Sequence, residues 1–142
     1  MSIYVDSSFL VSRYIADTHS LPVDRLLSTR PSVWVTQFNR SEIANAIYRQ
    51  TFLERLLPSE AQDAWKDFEV DCQLGIWVEV KFPERVWQTS IDMAQRFSAP
   101  LGVRTLDSLH VACALELRAE RFWTFDGRQS KLAEAVGLNT QM

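Results

Sequence analysis

Four carboxylates stand at positions where a folded chain can bring charge together. Asp107 lies in what reads as the first turn of a helix, behind Arg104-Thr105-Leu106 and ahead of the apolar run Leu109 to Leu115. Thr105 is the expected N-cap there, and a carboxylate in a first turn suits the helix dipole. Asp126 stops the buried-looking run Phe122 to Phe125 at an Asp126-Gly127 turn. Asp6 follows Ile3-Tyr4-Val5 and leads into Ser7-Ser8, while Glu42 falls well inside a helix expected from Gln37 to about Phe52.

Each acid alone has an ordinary use. Asp6 suits a helix cap, Glu42 a capping box with Asn39 if that helix starts late, Asp107 a dipole partner and Asp126 a turn. Together they suggest more. At ~5 Å and an effective dielectric of ~20, two carboxylates repel by roughly 3 kcal/mol, so a cluster must raise its own pKa values or take up a cation. Hard oxygen ligands suit Mg²⁺ or Mn²⁺, and such an ion can bind a phosphodiester oxygen and lower the pKa of an attacking water.

Neighbouring residues fit that chemistry more weakly. Thr124 and Ser7 carry hydroxyls beside Asp126 and Asp6, and His110 is one helical turn from Asp107. Arg104, Arg128 and Lys131 are candidates for RNA phosphates. For His110 a satisfied structural histidine is the plainer reading, and for the cations a solvated surface charge.

The elements that must position these groups alternate. Strands are expected at Ile3–Val5, Ser32–Val35, Ile76–Val80 and Phe122–Phe125. Between them fall a helix after Asp6, a short helix opened by Pro22, a helix capped by Thr36, and one with a Ser59-to-Gln62 capping box and an inward stripe of Ala61, Ala64, Trp65, Phe68 and Cys72. Pro83 is expected to open a helix to about Phe97 with Trp87, Ile91 and Ala94 inward; a last helix spans Gln129 to Val136, and Leu138 onward offers a fifth, edge strand. This alternation predicts an α/β fold with three α/β/α layers and a parallel sheet in the order 3-2-1-4. Ligands of such sheets gather beyond the carboxyl ends of the strands where the order reverses, which here means between Asp6 and Asp126.

Composition sets the bounds. The 142 residues suit one domain, 1–142, and a hydrophobic content of 46% can fill its core. A net charge of −3 argues against holding nucleic acid by bulk charge alone. Cys72 and Cys113 share no metal-ligand spacing and read as reduced core residues. The amino terminus lacks the pattern of a signal peptide and no stretch reaches the length of a membrane span, so a cytoplasmic protein with no membrane partner is expected.

The motifs Ile3-Tyr4-Val5-Asp6-Ser7-Ser8, Ser41-Glu42-Ile43-Ala44, Arg104 to Ala112, and Thr124-Phe125-Asp126 resemble a PIN domain of the VapC toxin type. The likeness spans nearly the whole chain and includes the order and spacing of all four acids; the third motif is the most specific. It implies a Mg²⁺- or Mn²⁺-dependent endoribonuclease acting on RNA, a homodimer, and a small antitoxin partner. Carried onto this chain, Asp6, Glu42, Asp107 and Asp126 form the catalytic metal site, with Thr124 as its hydroxyl neighbour. The antitoxin is expected to contact the first two helices and the Glu42 helix, with Phe9, Tyr14 and Tyr48 exposed, and an arginine reaching the carboxylates is its natural plug.

Other readings compete. A phosphatase of the haloacid dehalogenase type needs a second Asp two residues after the first, and that position is Ser8. A receiver domain needs a phosphoacceptor Asp after a middle strand, where this chain has Val80-Lys81-Phe82-Pro83. A PIN-fold binding module, or a housekeeping RNA-processing nuclease with no toxin role, is the remaining alternative.

Overall fold

In a computed structural model describing residues 1–142, four strands and seven helices alternate. They are β1 (Ser2–Val5), α1 (Ser7–Tyr14), α2 (Ser20–Leu27), β2 (Ser32–Val35), α3 (Gln37–Phe52), α4 (Pro58–Gln73), β3 (Trp77–Glu79), α5 (Val86–Leu101), α6 (Thr105–Glu116), β4 (Arg121–Trp123) and α7 (Gly127–Ala135). The strands pair in parallel in the order β3-β2-β1-β4, as expected. In register, Tyr4 lies beside Trp34 on one side and Phe122 on the other.

Side chains alternate across the sheet and so split the core in two. Ile3, Val5, Val33 and Val35 face α1 to α4, where Phe9, Leu10, Ile43, Ile47 and Phe68 are fully buried. Tyr4 and Phe122 face α5, α6 and α7, where they meet Val111, Ala112, Cys113 and Leu132. Burial on both faces makes three layers, and it explains why α6 is apolar nearly all round: Asp107 to Ala114 are buried without a break.

Caps set the boundaries. Thr36 and Asn39 exchange bonds at the start of α3, the Thr36 N–H donating to Asn39 Oδ1 at 2.9 Å. That capping box leaves Glu42 free and disposes of the Asn39-to-Glu42 alternative. α4 starts earlier than the Ser59 cap predicts: Pro58 takes the first position, and Glu60 accepts from the Leu57 N–H at 2.8 Å. Pro22 sits at the third position of α2, which costs nothing because the first four N–H groups of a helix have no intrahelical acceptor. α6 likewise begins at Thr105, with Arg104 in the cap position.

Three further expectations are corrected. The stripe Trp87, Ile91 and Ala94 of α5 faces solvent, with Trp87 59% exposed, while Val86 and Met93 are buried against α6 and Phe97 packs beside them. Two apolar stripes run along this helix, and periodicity cannot say which one the neighbouring helix covers. The segment after Leu138 adds no fifth strand: Asn139 O accepts from the Phe122 N–H at 2.9 Å, and its other ties to β4 are side-chain bonds from Arg121 and Trp123 to Gln141 O. Finally, β4 stops at Trp123 and α7 starts at Gly127, because Asp126 itself caps that helix. No helix is long and apolar enough to cross a membrane.

Candidate active site

The ends of β1 and β4 are stitched together by the Asp6 N–H, which donates to Trp123 O at 3.3 Å. Beyond that junction α3 and α6 approach, with Glu42 on the second turn of one and Asp107 on the first turn of the other, and a pocket of about 330 Å³ opens, lined by Asp6, Glu42, Asp107 and Asp126. The fold thus brings all four acids to one place.

Each is held differently. Asp6 is 3% exposed; its Oδ1 accepts from the Phe9 N–H at 3.1 Å as the cap of α1, and its Oδ2 accepts from Ser8 Oγ at 2.6 Å. Burial pushes its pKa up, against the lowering effect of the Ser8 hydroxyl. Asp126 uses Oδ1 to cap α7, accepting from the Arg128 and Gln129 N–H groups at 2.8 and 3.1 Å, and leaves Oδ2 on the pocket side.

Asp107 is buried at the third position of α6, where Arg104 folds back over it. Arg104 Nε donates to Asp107 Oδ2 at 3.0 Å, and Nη2 reaches both Asp107 Oδ1 and Asp126 Oδ2 at 3.4 Å. Gln129 Nε2 adds a bond to Asp107 Oδ1 at 3.1 Å, while Gln129 Oε1, buried on the wall of the pocket, has no partner.

Glu42 accepts from Ser7 Oγ at 2.7 Å and meets His110 Nε2 at 2.5 Å. Burial works to raise its pKa, but the bond to His110 and that ring's charge outweigh it, and the carboxyl is lowered overall. An ionised Glu42 accepts from His110 Nε2–H, while the other ring nitrogen, Nδ1, lies 2.9 Å from the Tyr4 hydroxyl. Burial drives the Tyr4 pKa far up, which keeps that hydroxyl protonated. His110 therefore serves Glu42 across the sheet end rather than Asp107 on its own helix.

Thr124 is buried behind the pocket, where its Oγ1 accepts from the Asp126 N–H at 2.9 Å and shapes the turn that presents Asp126. Asn39, Gln129 and Tyr4 have no part in the site expected from the sequence, where Asn39 is only a helix cap, Gln129 a helix start and Tyr4 a strand residue. Asn39 Nδ2 donates to Val5 O at 3.2 Å and anchors α3 to the end of β1; its place three residues after Thr36 was the available clue. Arg128 and Lys131 are exposed on α7. Of the aromatic residues expected on a partner-facing surface only Tyr48 is exposed, because Phe9 is fully buried and the half-buried Tyr14 gives its hydroxyl to Asp71.

The sequence matches the model of the PIN domain over residues 3–135. The chain belongs to the PIN-domain family. Solved structures share its fold. VapC20 of Mycobacterium tuberculosis, a sarcin-ricin loop cleaving toxin, matches with a TM-score of 0.70 and 18% identity over 96% of this chain and 95% of that one. VapBC2 from Rickettsia felis, bound to a DNA fragment from its promoter, gives 0.67 and 12% over 99% and 98%. FitAcB from Neisseria gonorrhoeae gives 0.70 and 13% over 99% and 96%. No curated protein matches the sequence.

A PIN domain raises the question of a divalent cation, and the donor set here suits one. The four acids offer only hard oxygen, burial raises Asp6, and an intramolecular guanidinium already stands against Asp107 and Asp126. In this conformation no three acidic, histidine or cysteine side chains converge closely enough to hold an ion, because each carboxylate is turned to an internal donor. An ion shared by Asp107 and Asp126 would meet the Arg104 guanidinium, which already spans both.

Proposed function

We propose that this PIN domain is a Mg²⁺- or Mn²⁺-dependent endoribonuclease that cleaves RNA phosphodiesters, and that it is the toxin of a toxin–antitoxin pair in the cytoplasm. The observation that carries the reading is the convergence of Asp6, Glu42, Asp107 and Asp126 on one pocket at the switch point of the sheet. The likeness in fold to a sarcin-ricin loop cleaving toxin and to VapBC and FitAB assemblies supports it.

A divalent ion at this site supplies charge against a phosphodiester oxygen and lowers the pKa of water. Asp6 and Asp107 are its principal holders, with Glu42 and Asp126 in support. His110 and Ser7 fix the Glu42 carboxylate, and Thr124 fixes the turn that aims Asp126. Arg104 is 61% exposed even where it lies against the acids, and on displacement it would be free to meet a substrate phosphate. The small antitoxin partner is expected to supply an arginine of its own to these carboxylates. A second copy of the chain is expected to cover the exposed stripe Trp87, Ile91 and Ala94 on α5.

The test is a gel assay of the purified chain on structured and single-stranded RNAs, with Mn²⁺ or EDTA. Cleavage should need the metal and vanish in folded Asp6→Asn and Asp107→Asn. Cleavage that persists in EDTA or in those variants removes the chemistry from these acids, and a chain that never cuts RNA is a PIN-fold binding module.

A further inference from the structure

Beside the acid pocket lies a second groove of about 780 Å³, which shares Glu42 and Asp126 with it and runs between α1 and α3. Three rings stack toward this groove. Phe9, fully buried, lies under Phe125 with centroids 5.5 Å apart and planes within 8°; Phe125 lies under His19 at 4.4 Å and 5°. His19 caps the column and is exposed, and neither of its ring nitrogens has a hydrogen-bond partner, so stacking alone orients the ring. The column is tied to the acids through the chain: Phe125 precedes Asp126, and the Phe9 N–H binds Asp6. Across the groove, Asn45 and Arg49 follow Glu42 on the same face of α3, and Arg49 pairs with no carboxylate.

We propose that the His19 ring is a stacking platform for one unpaired base of the RNA, with Arg49 meeting a neighbouring phosphate, so that this groove holds the strand whose phosphodiester enters the acid pocket. This rests on the nuclease reading. A parallel aromatic column open at one end is what a base extends, since every base has a π face, and a free guanidinium within the same groove suits a backbone phosphate. A helical protein partner fits less well. Apart from Phe125 the apolar lining is Val11, Ala46 and Leu106, a narrow strip for the apolar face of an amphipathic helix. A duplex fits poorly as well, because its bases are already stacked on one another.

The experiment measures fluorescence anisotropy of a labelled single-stranded RNA of mixed sequence in EDTA, and of the same RNA carrying abasic sites. The full chain is compared with His19→Ala, His19→Phe and Arg49→Ala, each checked by circular dichroism, and cleavage by the parent in Mn²⁺ is followed alongside. His19→Ala should weaken binding of the intact RNA about fivefold or more, while His19→Phe should keep the affinity. Abasic RNA should bind parent and His19→Ala alike, and Arg49→Ala should weaken both RNAs. Unchanged affinity in His19→Ala, or an equal loss on abasic RNA, overturns the platform and leaves the groove to a protein partner. If the parent cuts RNA in that case, only the platform falls; a parent that neither binds nor cuts RNA overturns the nuclease reading with it.

Discussion

Arg104 Nε stands 3.0 Å from Asp107 Oδ2, so the most deeply set acid of α6 is neutralised by the residue at that helix's own cap. The same guanidinium reaches Asp126 at 3.4 Å and spans two of the acids that a cation would share. Because the arginine is 61% exposed, water screens the attraction, and the contact is weak enough to exchange.

Removing that guanidinium should favour the metal. Arg104→Gln is expected to bind Mn²⁺ about 2–5-fold more tightly than the parent, the scale of an exposed ion pair. Isothermal titration calorimetry measures this directly. An unchanged or weaker affinity would show that Arg104 does not compete with the ion.

Metal itself should stabilise the fold, since a ligand bound only by the native state raises its melting temperature. Millimolar Mg²⁺ or Mn²⁺ should raise Tm of the parent, and Asp107→Asn should lose most of the response. A parent whose Tm ignores both ions in differential scanning calorimetry rules out the site.

Asp6 makes a prediction about pH. Burial raises its folded pKa above the unfolded value, so its contribution to stability is full below the unfolded pKa and is lost as pH rises through the folded one. Asp6→Asn should therefore be more stable than the parent at neutral pH in EDTA, with the gap closing on acidification. Urea denaturation at a series of pH values decides it; a gap that widens on acidification has the wrong sign.

Glu42 behaves oppositely. Its lowered pKa gives stability that is present above the unfolded pKa and is lost as pH falls through the folded one. His110→Ala should weaken that dependence and strand the buried Tyr4 hydroxyl, costing about 1–3 kcal/mol from the unpaired group alone. A variant as stable as the parent by urea titration would mean that the Tyr4–His110–Glu42 chain contributes nothing.

The outward stripe of α5 predicts an oligomer. Ile91→Glu, on a residue 50% exposed, should leave the fold intact and dissociate the dimer in light scattering. A parent that is already a monomer at high concentration removes the basis for a second copy.

Much of this was legible before the structure. The alternation of strands and helices, the Thr36 cap and the placing of Asp6, Asp107 and Asp126 at element ends follow from local pattern, because capping chemistry and buried-strand composition are short-range properties. The order 3-2-1-4 belongs to the whole sheet and was legible only by likeness to doubly wound folds. Which acids meet which donors was not local. His110 is one turn from Asp107 in sequence yet bonds Glu42, because α6 and α3 converge only where β1 and β4 lie side by side. The face of α5 was undecidable for a related reason: 86/93/97 and 87/91/94 are both apolar stripes, and packing against α6 alone selected the first. The Phe9–Phe125–His19 column draws one ring each from α1, the turn after β4 and the cap of α2. No spacing rule links those three positions, so only the tertiary fold could assemble them.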